Sequence, residues 1–334
     1  LRTDIPAHRQ ACAHAVFSAD GRWIATASHD TTAKVWNAAD GALLHTLPGN
    51  GSQLWTIAFA RNGRYLALAG DSEVCVYAVR PGKKPWTCTK KLPIGGDGRM
   101  PGSAFDIEFS PDSRRLFVGN FASQVEVWDT GSWKRIDVCD EHGGPADGRM
   151  IEFLDFHPDG KTLVAGGRTF TTRILRVGPI GKKSGKAVGS GKSKRKRGWT
   201  TVQTIAEPVR RDGHPTHRMC AQFSPDGTVL AVGGTDGLLQ VFDAKTWRQL
   251  QSFPACPGEY CAALGFRPGS KRLLTAAKVL RVWDTTTWKK VAEVPLAAHT
   301  QHLSVSPDGT CAALAGIDGH LRIISLAAAG TAPK

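Results

Sequence analysis

The sequence predicts an all-β protein, a ring of seven four-stranded antiparallel sheets packed radially around one axis. Three observations carry that expectation. A short turn phrase recurs seven times: F-S-A-D-G from Phe17, F-A-R-N-G from Phe59, F-S-P-D-S from Phe109, F-H-P-D-G from Phe156, F-S-P-D-G from Phe223, F-R-P-G-S from Phe266 and V-S-P-D-G from Val305. The intervals of 42, 50, 47, 67, 43 and 39 residues mark a repeat with a base period near 40. Around each copy lie short apolar runs bounded by Gly, Asp, Asn and Pro, the pattern of strands. No window of helical length keeps a 3.6-residue apolar period.

In chain order each repeat has one grammar. A first run precedes the turn phrase, as in A-V-F and D-I-E-F. A second follows it, as in W-I-A-T-A-S, Y-L-A-L-A-G and V-L-A-V-G-G. A third ends in an aromatic, as in A-K-V-W, V-E-V-W, L-Q-V-F and L-R-V-W. A fourth closes the unit, as in L-L-H-T-L and R-Q-L-Q-S-F. The units fall at 8–47, 48–92, 98–138, 147–205, 214–253, 257–294 and 299–326. Their inner runs are apolar almost throughout, so both faces of each sheet need cover, which radial packing supplies. The last unit stops at its third run, Leu321 to Leu326. The opening L-R-T-D-I-P fits the missing fourth, so residues 1–6 are expected to complete the last sheet and remove two open edges. Residues 1–326 then make one domain, with 327–334 a flexible tail.

These features resemble the WD-repeat β-propeller family over essentially the whole chain. Trp128-Asp129 and Trp283-Asp284 match the family dipeptide, and Trp36-Asn37 and Phe242-Asp243 come near it. The resemblance implies a buried network of His, Ser or Thr, Asp and Trp. The first repeat supplies it as His8, Ser28, Asp30 and Trp36. The fifth keeps His214 and Asp236 but has Gly234 and Phe242, and the seventh has Leu296 and Ile324 in the His and Trp places. Asp30 is therefore expected to be held by more partners than Asp318. These are scaffold residues, not a catalytic triad. A second set of tryptophans, Trp86, Trp133, Trp199, Trp247 and Trp288, stands just before the fourth run and is expected to cover the blade edge.

The chain has 334 residues, 41% hydrophobic and 22% charged, an ordinary globular balance. No stretch approaches the roughly 18 apolar residues of a membrane span, and residues 1–10 lack the pattern of a signal peptide. The eight cysteines form no C-x-x-C, and Cys256 and Cys261 stand as C-x4-C without a second ligand pair. They read as buried small hydrophobes of a reducing intracellular compartment. No metal and no cofactor is implied. No catalytic elbow, phosphate loop or H-E-x-x-H is present, and Asp140, Glu141 and His142 have no matching cluster, so an enzyme is not expected.

Function is then sought in the loops. By the resemblance, loops leading into each first strand share the upper face with turns between second and third strands. Three upper loops are long and alike, ending in D-G-R-M at Met100, D-G-R-M at Met150 and D-G-H-P-T-H-R-M at Met219. They precede neighbouring repeats, which gathers Arg99, Arg149 and Arg218, with His214 and His217, on one arc as a patch for a protein partner. The alternative is that each Arg pairs with a local Asp and each Met plugs a gap. The formal net charge of +14 is concentrated in residues 178–198. That lower-face insertion in the fourth repeat holds Lys182, Lys183, Lys186, Lys192, Lys194, Arg195, Lys196 and Arg197 and no acid. Its Gly, Ser and Lys content cannot build a core, so it is expected to be disordered when free. It suits RNA, DNA or an acidic protein through electrostatics alone, and resembles a nuclear-import stretch. The expected function is a non-catalytic interaction scaffold, monomeric outside a larger complex, or else a component of a nucleic-acid assembly.

Overall fold

The seven turn phrases become seven equivalent corners. The computed structural model describes residues 3–82, 85–95, 102–139, 150–168, 171–178, 199–206 and 216–326. These form seven four-stranded antiparallel sheets. Blade 1 runs from an inner strand, Cys12–Phe17, through Trp23–Ser28 and Thr32–Asn37 to an outer strand, Leu43–Pro48. The inner strands of blades 2 to 7 are Leu54–Phe59, Ala104–Phe109, Ile151–Phe156, Arg218–Phe223, Ala263–Phe266 and Thr300–Val305. They stand side by side around the axis, and the last packs on the first.

The chemistry of the turn phrase explains its recurrence. Its fifth residue is left-handed in all seven copies, with φ from 57° at Ser113 to 71° at Gly21, so Gly fills five of the places. In the S-x-D copies the serine hydroxyl donates to the aspartate, at 2.7 Å from Ser18 to Asp20 and 2.6 Å from Ser224 to Asp226. The same hydroxyl accepts the N–H that opens the second strand, as Trp23 and Val229 show. The tryptophans before the outer strands have a comparable reason. Trp133, Trp247 and Trp288 have φ of 54°, 60° and 56°. Each turns its ring onto an aromatic, Tyr65, Phe223 and Phe253 respectively.

The core is seven separate apolar layers, one between each pair of neighbouring blades. The layer between blades 1 and 2, for example, sets Ala25, Val35 and Leu47 against Ile57, Leu68 and Trp86. Because both faces of every sheet are covered, the second strands read as continuous apolar runs.

Closure follows the sequence expectation. Thr3–Pro6 pairs with His320–Ser325, placing Thr3 opposite Ile323 and Pro6 opposite His320. Arg322, almost wholly buried, lies 3.3 Å from Asp4 and donates to Asp318. The joining strand is thus held by backbone and by charge. Deleting residues 1–7 is expected to lower the melting temperature and give oligomers by light scattering, because a sheet edge and an apolar layer are uncovered together. A truncated chain that melts like the intact one and stays monomeric contradicts this account of closure.

Candidate functional site

The inner strands enclose an axial channel of about 680 Å³. Among the described residues no ladder pairs the inner strands of neighbouring blades, so side chains join them. The Asp106 carboxylate accepts from Thr56 on blade 2 and from the Leu154 N–H on blade 4, at 3.1 and 2.7 Å. Asp155 accepts from Phe223 N at 2.7 Å, and Gln222 from Phe266 N at 2.8 Å. Ser304 accepts from Phe17 N at 3.2 Å, and His302 Nδ1 donates to Ala15 O at 3.0 Å. Asp106 and Asp155 are therefore stitches first.

Their environment shifts them strongly. Burial raises the Asp106 and Asp155 carboxyls to about 7 against the hydrogen bonds they accept. Burial, then Asp155 and Asp106, pushes Glu108 well above the usual range. Across the channel the rings of His14 and His302 are 3.5 Å apart. Burial lowers both, His302 to about 4. Among the described residues no group of three or more His, Cys, Asp or Glu side chains is arranged to hold a metal ion.

Each inner strand runs from the upper loop toward the turn phrase below, so its early residues lie near the upper mouth. There an aromatic row crosses three blades. His29, in the turn after the second strand of blade 1, lies 4.5 Å from Trp55 of blade 2. Trp55 lies 5.4 Å from Phe105 of blade 3, which lies 6.3 Å from Phe121. All four rings are part-exposed, and among the described residues the Trp55 indole N–H has no acceptor. Farther round the same face, Tyr260 and Ile317 are each 53% exposed.

The residues singled out in the sequence fall in three groups. The network of blade 1 forms, with one change of member. His8 Nδ1 meets Asp30 at 3.1 Å, its Nε2 meets Thr26 Oγ1 at 2.8 Å, and Trp36 Nε1 donates to the same hydroxyl at 3.0 Å. Thr26 is thus the hydroxyl of the network, and Ser28 is not. Ser28 instead accepts the Asp30 N–H at 3.0 Å. The two lie two residues apart on one strand face, and the reach of the Trp36 ring selects Thr26. Burial lowers His8 to about 4. Burial alone would raise Asp30, but hydrogen bonds from Thr32 and from the Arg9 N–H hold it at about 2. The seventh repeat departs from expectation too. Asp318 has Arg322 as a partner in place of the missing His and Trp.

Arg218 is not on the upper rim. It is 1% exposed, donates to Gln240 and lies 4.0 Å from Asp236. As the first residue of an inner strand, it fills the space beside Gly234, which offers no side chain. His217 is half-buried, with its backbone N–H donating to Thr235 Oγ1 at 3.2 Å. Arg99, Arg149 and His214 lie outside the described residues, as do Asp140, Glu141, His142, residues 179–198 with their eight basic side chains, and residues 327–334. The cysteines are all free, but Cys88 is exposed and Cys220 half-buried, unlike the buried thiols expected.

Comparison with known proteins agrees with the geometry. The WD domain, G-beta repeat model matches residues 1–37, 41–77 and 206–243. Protein HIR1 of Aspergillus oryzae is 24% identical over 90% of this chain and 32% of its own length. Eukaryotic translation initiation factor 3 subunit I of Eremothecium gossypii is 23% identical over 95% of this chain and 89% of its own. A guanine nucleotide-binding protein subunit beta of Oryza sativa subsp. japonica is 26% identical over 70% of this chain and 56% of its own. The chain therefore spans about a third of the first of these and most of the second. No helix among the described residues is long and apolar enough to cross a membrane.

Two outcomes follow from the buried groups. Thr26→Val should cost about 2 kcal/mol or more in denaturant melts, since it unpairs Trp36 Nε1–H and His8 Nε2, and Ser28→Ala about 1 kcal/mol. Equal losses would return the network to Ser28. Asp155, raised to about 7 from 3.8, keeps in the folded chain a proton that the unfolded chain releases. Its contribution is fully present below 3.8 and lost as pH rises through 7. His8 and His302, lowered to about 4 from 6.5, act oppositely, losing theirs as pH falls from 6.5 to 4. Melts between pH 5 and 8 should show that Asp155→Asn removes a fall in stability between pH 5 and 7 and leaves the slope above 7 unchanged.

Proposed function

We propose that this seven-bladed β-propeller, with its WD domain, G-beta repeat matches, is a non-catalytic scaffold binding a protein partner through its upper face. The aromatic row His29, Trp55, Phe105 and Phe121 carries this reading. Part-exposed aromatic rings on a rigid frame bury much area at little entropic cost, which is how interface anchors work. The segments holding Arg99, Arg149 and His214 precede blades 3, 4 and 5 in the chain, and we assign these residues, with His217, to the same surface. Relatives named as subunits of an initiation factor and of a guanine nucleotide-binding protein support a role inside an assembly. Phe105→Ala with Phe121→Ala should strip the chain of its partner in affinity purification from the native source, while the circular dichroism melt shifts by only a few degrees. An unchanged partner set with a folded double variant overturns the proposal.

The second reading rests on charge. Residues 178–198 lie in sequence between the third strand of blade 4, Thr171–Val177, and its fourth, Trp199–Ala206. They carry eight of the basic residues and no acid. We propose this segment as a polyanion anchor that leaves the upper face free. If about half of its charges meet phosphates, log affinity for RNA should fall against log salt with a slope of roughly −3 to −4. Deleting Lys182 to Arg197 should flatten that slope and leave the melt in place. An unchanged slope removes the segment from this role.

A further inference from the structure

At the seam of blades 5 and 6, Cys220 meets two thiols from a later loop, Cys256 and Cys261. Cys220 is the third residue of the blade 5 inner strand and lines the channel. Its ladder partner is Gly233. The loop entering blade 6 is held beside this glycine, because Cys261 N donates to the carbonyl of the next residue, Gly234, at 3.0 Å. Gly233 has no side chain, and the place a Cβ would take lies 2.8 Å from the Cys220 sulfur and 2.9 Å from the Cys261 sulfur. Both thiols thus turn into one small space. Cys220 Sγ also lies 3.1 Å from Cys261 O. On its other side the Cys261 thiol meets that of Cys256.

Access separates the three. Cys256 and Cys261 are fully buried, whereas Cys220 is half-buried and faces the channel. A small oxidant diffusing along the channel reaches Cys220 first. Neighbouring thiols, together with burial, push the Cys256 and Cys261 thiols upward, so both wait as S–H groups.

We propose that Cys220 and Cys261 form an oxidation site for hydrogen peroxide or a comparably small peroxide, closing a disulfide across the seam of blades 5 and 6. In the first step the Cys220 sulfur attacks one peroxide oxygen, the O–O bond breaks, and sulfenic acid and one water form. In the second the Cys261 sulfur attacks the sulfenic sulfur, the S–O bond breaks, and the departing oxygen leaves as water with the Cys261 proton. Two thiols lose two electrons and two protons, and one peroxide becomes two waters. The product ties the inner strand of blade 5 to the loop that begins blade 6.

The intact chain tests this without substitution. After graded peroxide treatment and alkylation, peptide mass spectrometry should find a Cys220–Cys261 crosslink, two fewer alkylated thiols at these positions, and reversal by dithiothreitol. The oxidised chain should melt at a higher temperature than the reduced one. Cys88, exposed on an outer strand, serves as the internal gauge of dose. Cys220 remaining reduced at a dose that oxidises Cys88 overturns the proposal, as does Cys220 sulfinic acid beside an intact Cys261 thiol. Cys261→Ser should abolish the crosslink; should that variant fail to fold, the wild-type crosslink map still decides.

Discussion

Every sheet in this molecule is apolar on both faces, and that single constraint organises the rest. A sheet with two greasy faces is stable only between two neighbours, so the row of blades must return on itself. Closure depends on four residues, Thr3–Pro6, pairing with His320–Ser325. The seven apolar layers, the side-chain stitches between inner strands and the buried charges around Arg322 all presuppose that the ring is shut. The channel is a by-product of the same geometry. Seven inner strands cannot converge on one line, and the gap between them gathers polar groups that have nowhere else to go.

The polar groups near the axis divide by duty. Asp106, Asp155, Gln222 and Ser304 each accept a backbone N–H from the next blade, which accounts for carboxylates in so poorly solvated a place. Trp55 and Phe105 make no such stitch. Their rings stand near the mouth, where a partner can cover them. Rigid frame and contact surface are thus interleaved within the same inner strands, one residue apart.

Much of the architecture was legible because turns are chemically strict. A left-handed fifth residue admits few side chains, so a Gly or Ser ends the phrase in all seven blades and counts them. The candidate site was less legible. Thr26 and Ser28 share a strand face, and only the direction of the Trp36 ring decides between them. Arg218 sits in a phrase that resembles the two D-G-R-M phrases, yet it opens an inner strand beside Gly234 and turns inward. Trp55 and Phe105 could have been found by aligning the inner strands, since both occupy the second place. The meeting of Cys220 with Cys261 had no local signal, because it depends on Gly233 in a third segment.

The strand that shuts the ring also determines how the molecule would respond to force. Thr3 lies opposite Ile323 in an antiparallel pair, so chain leading into Thr3 and chain leading away from Ser325 depart from the same end of that ladder. Tension between them peels the bonds apart in sequence instead of loading them together. Under pulling, the seam is a zipper, and blade 7 is the one that opens first.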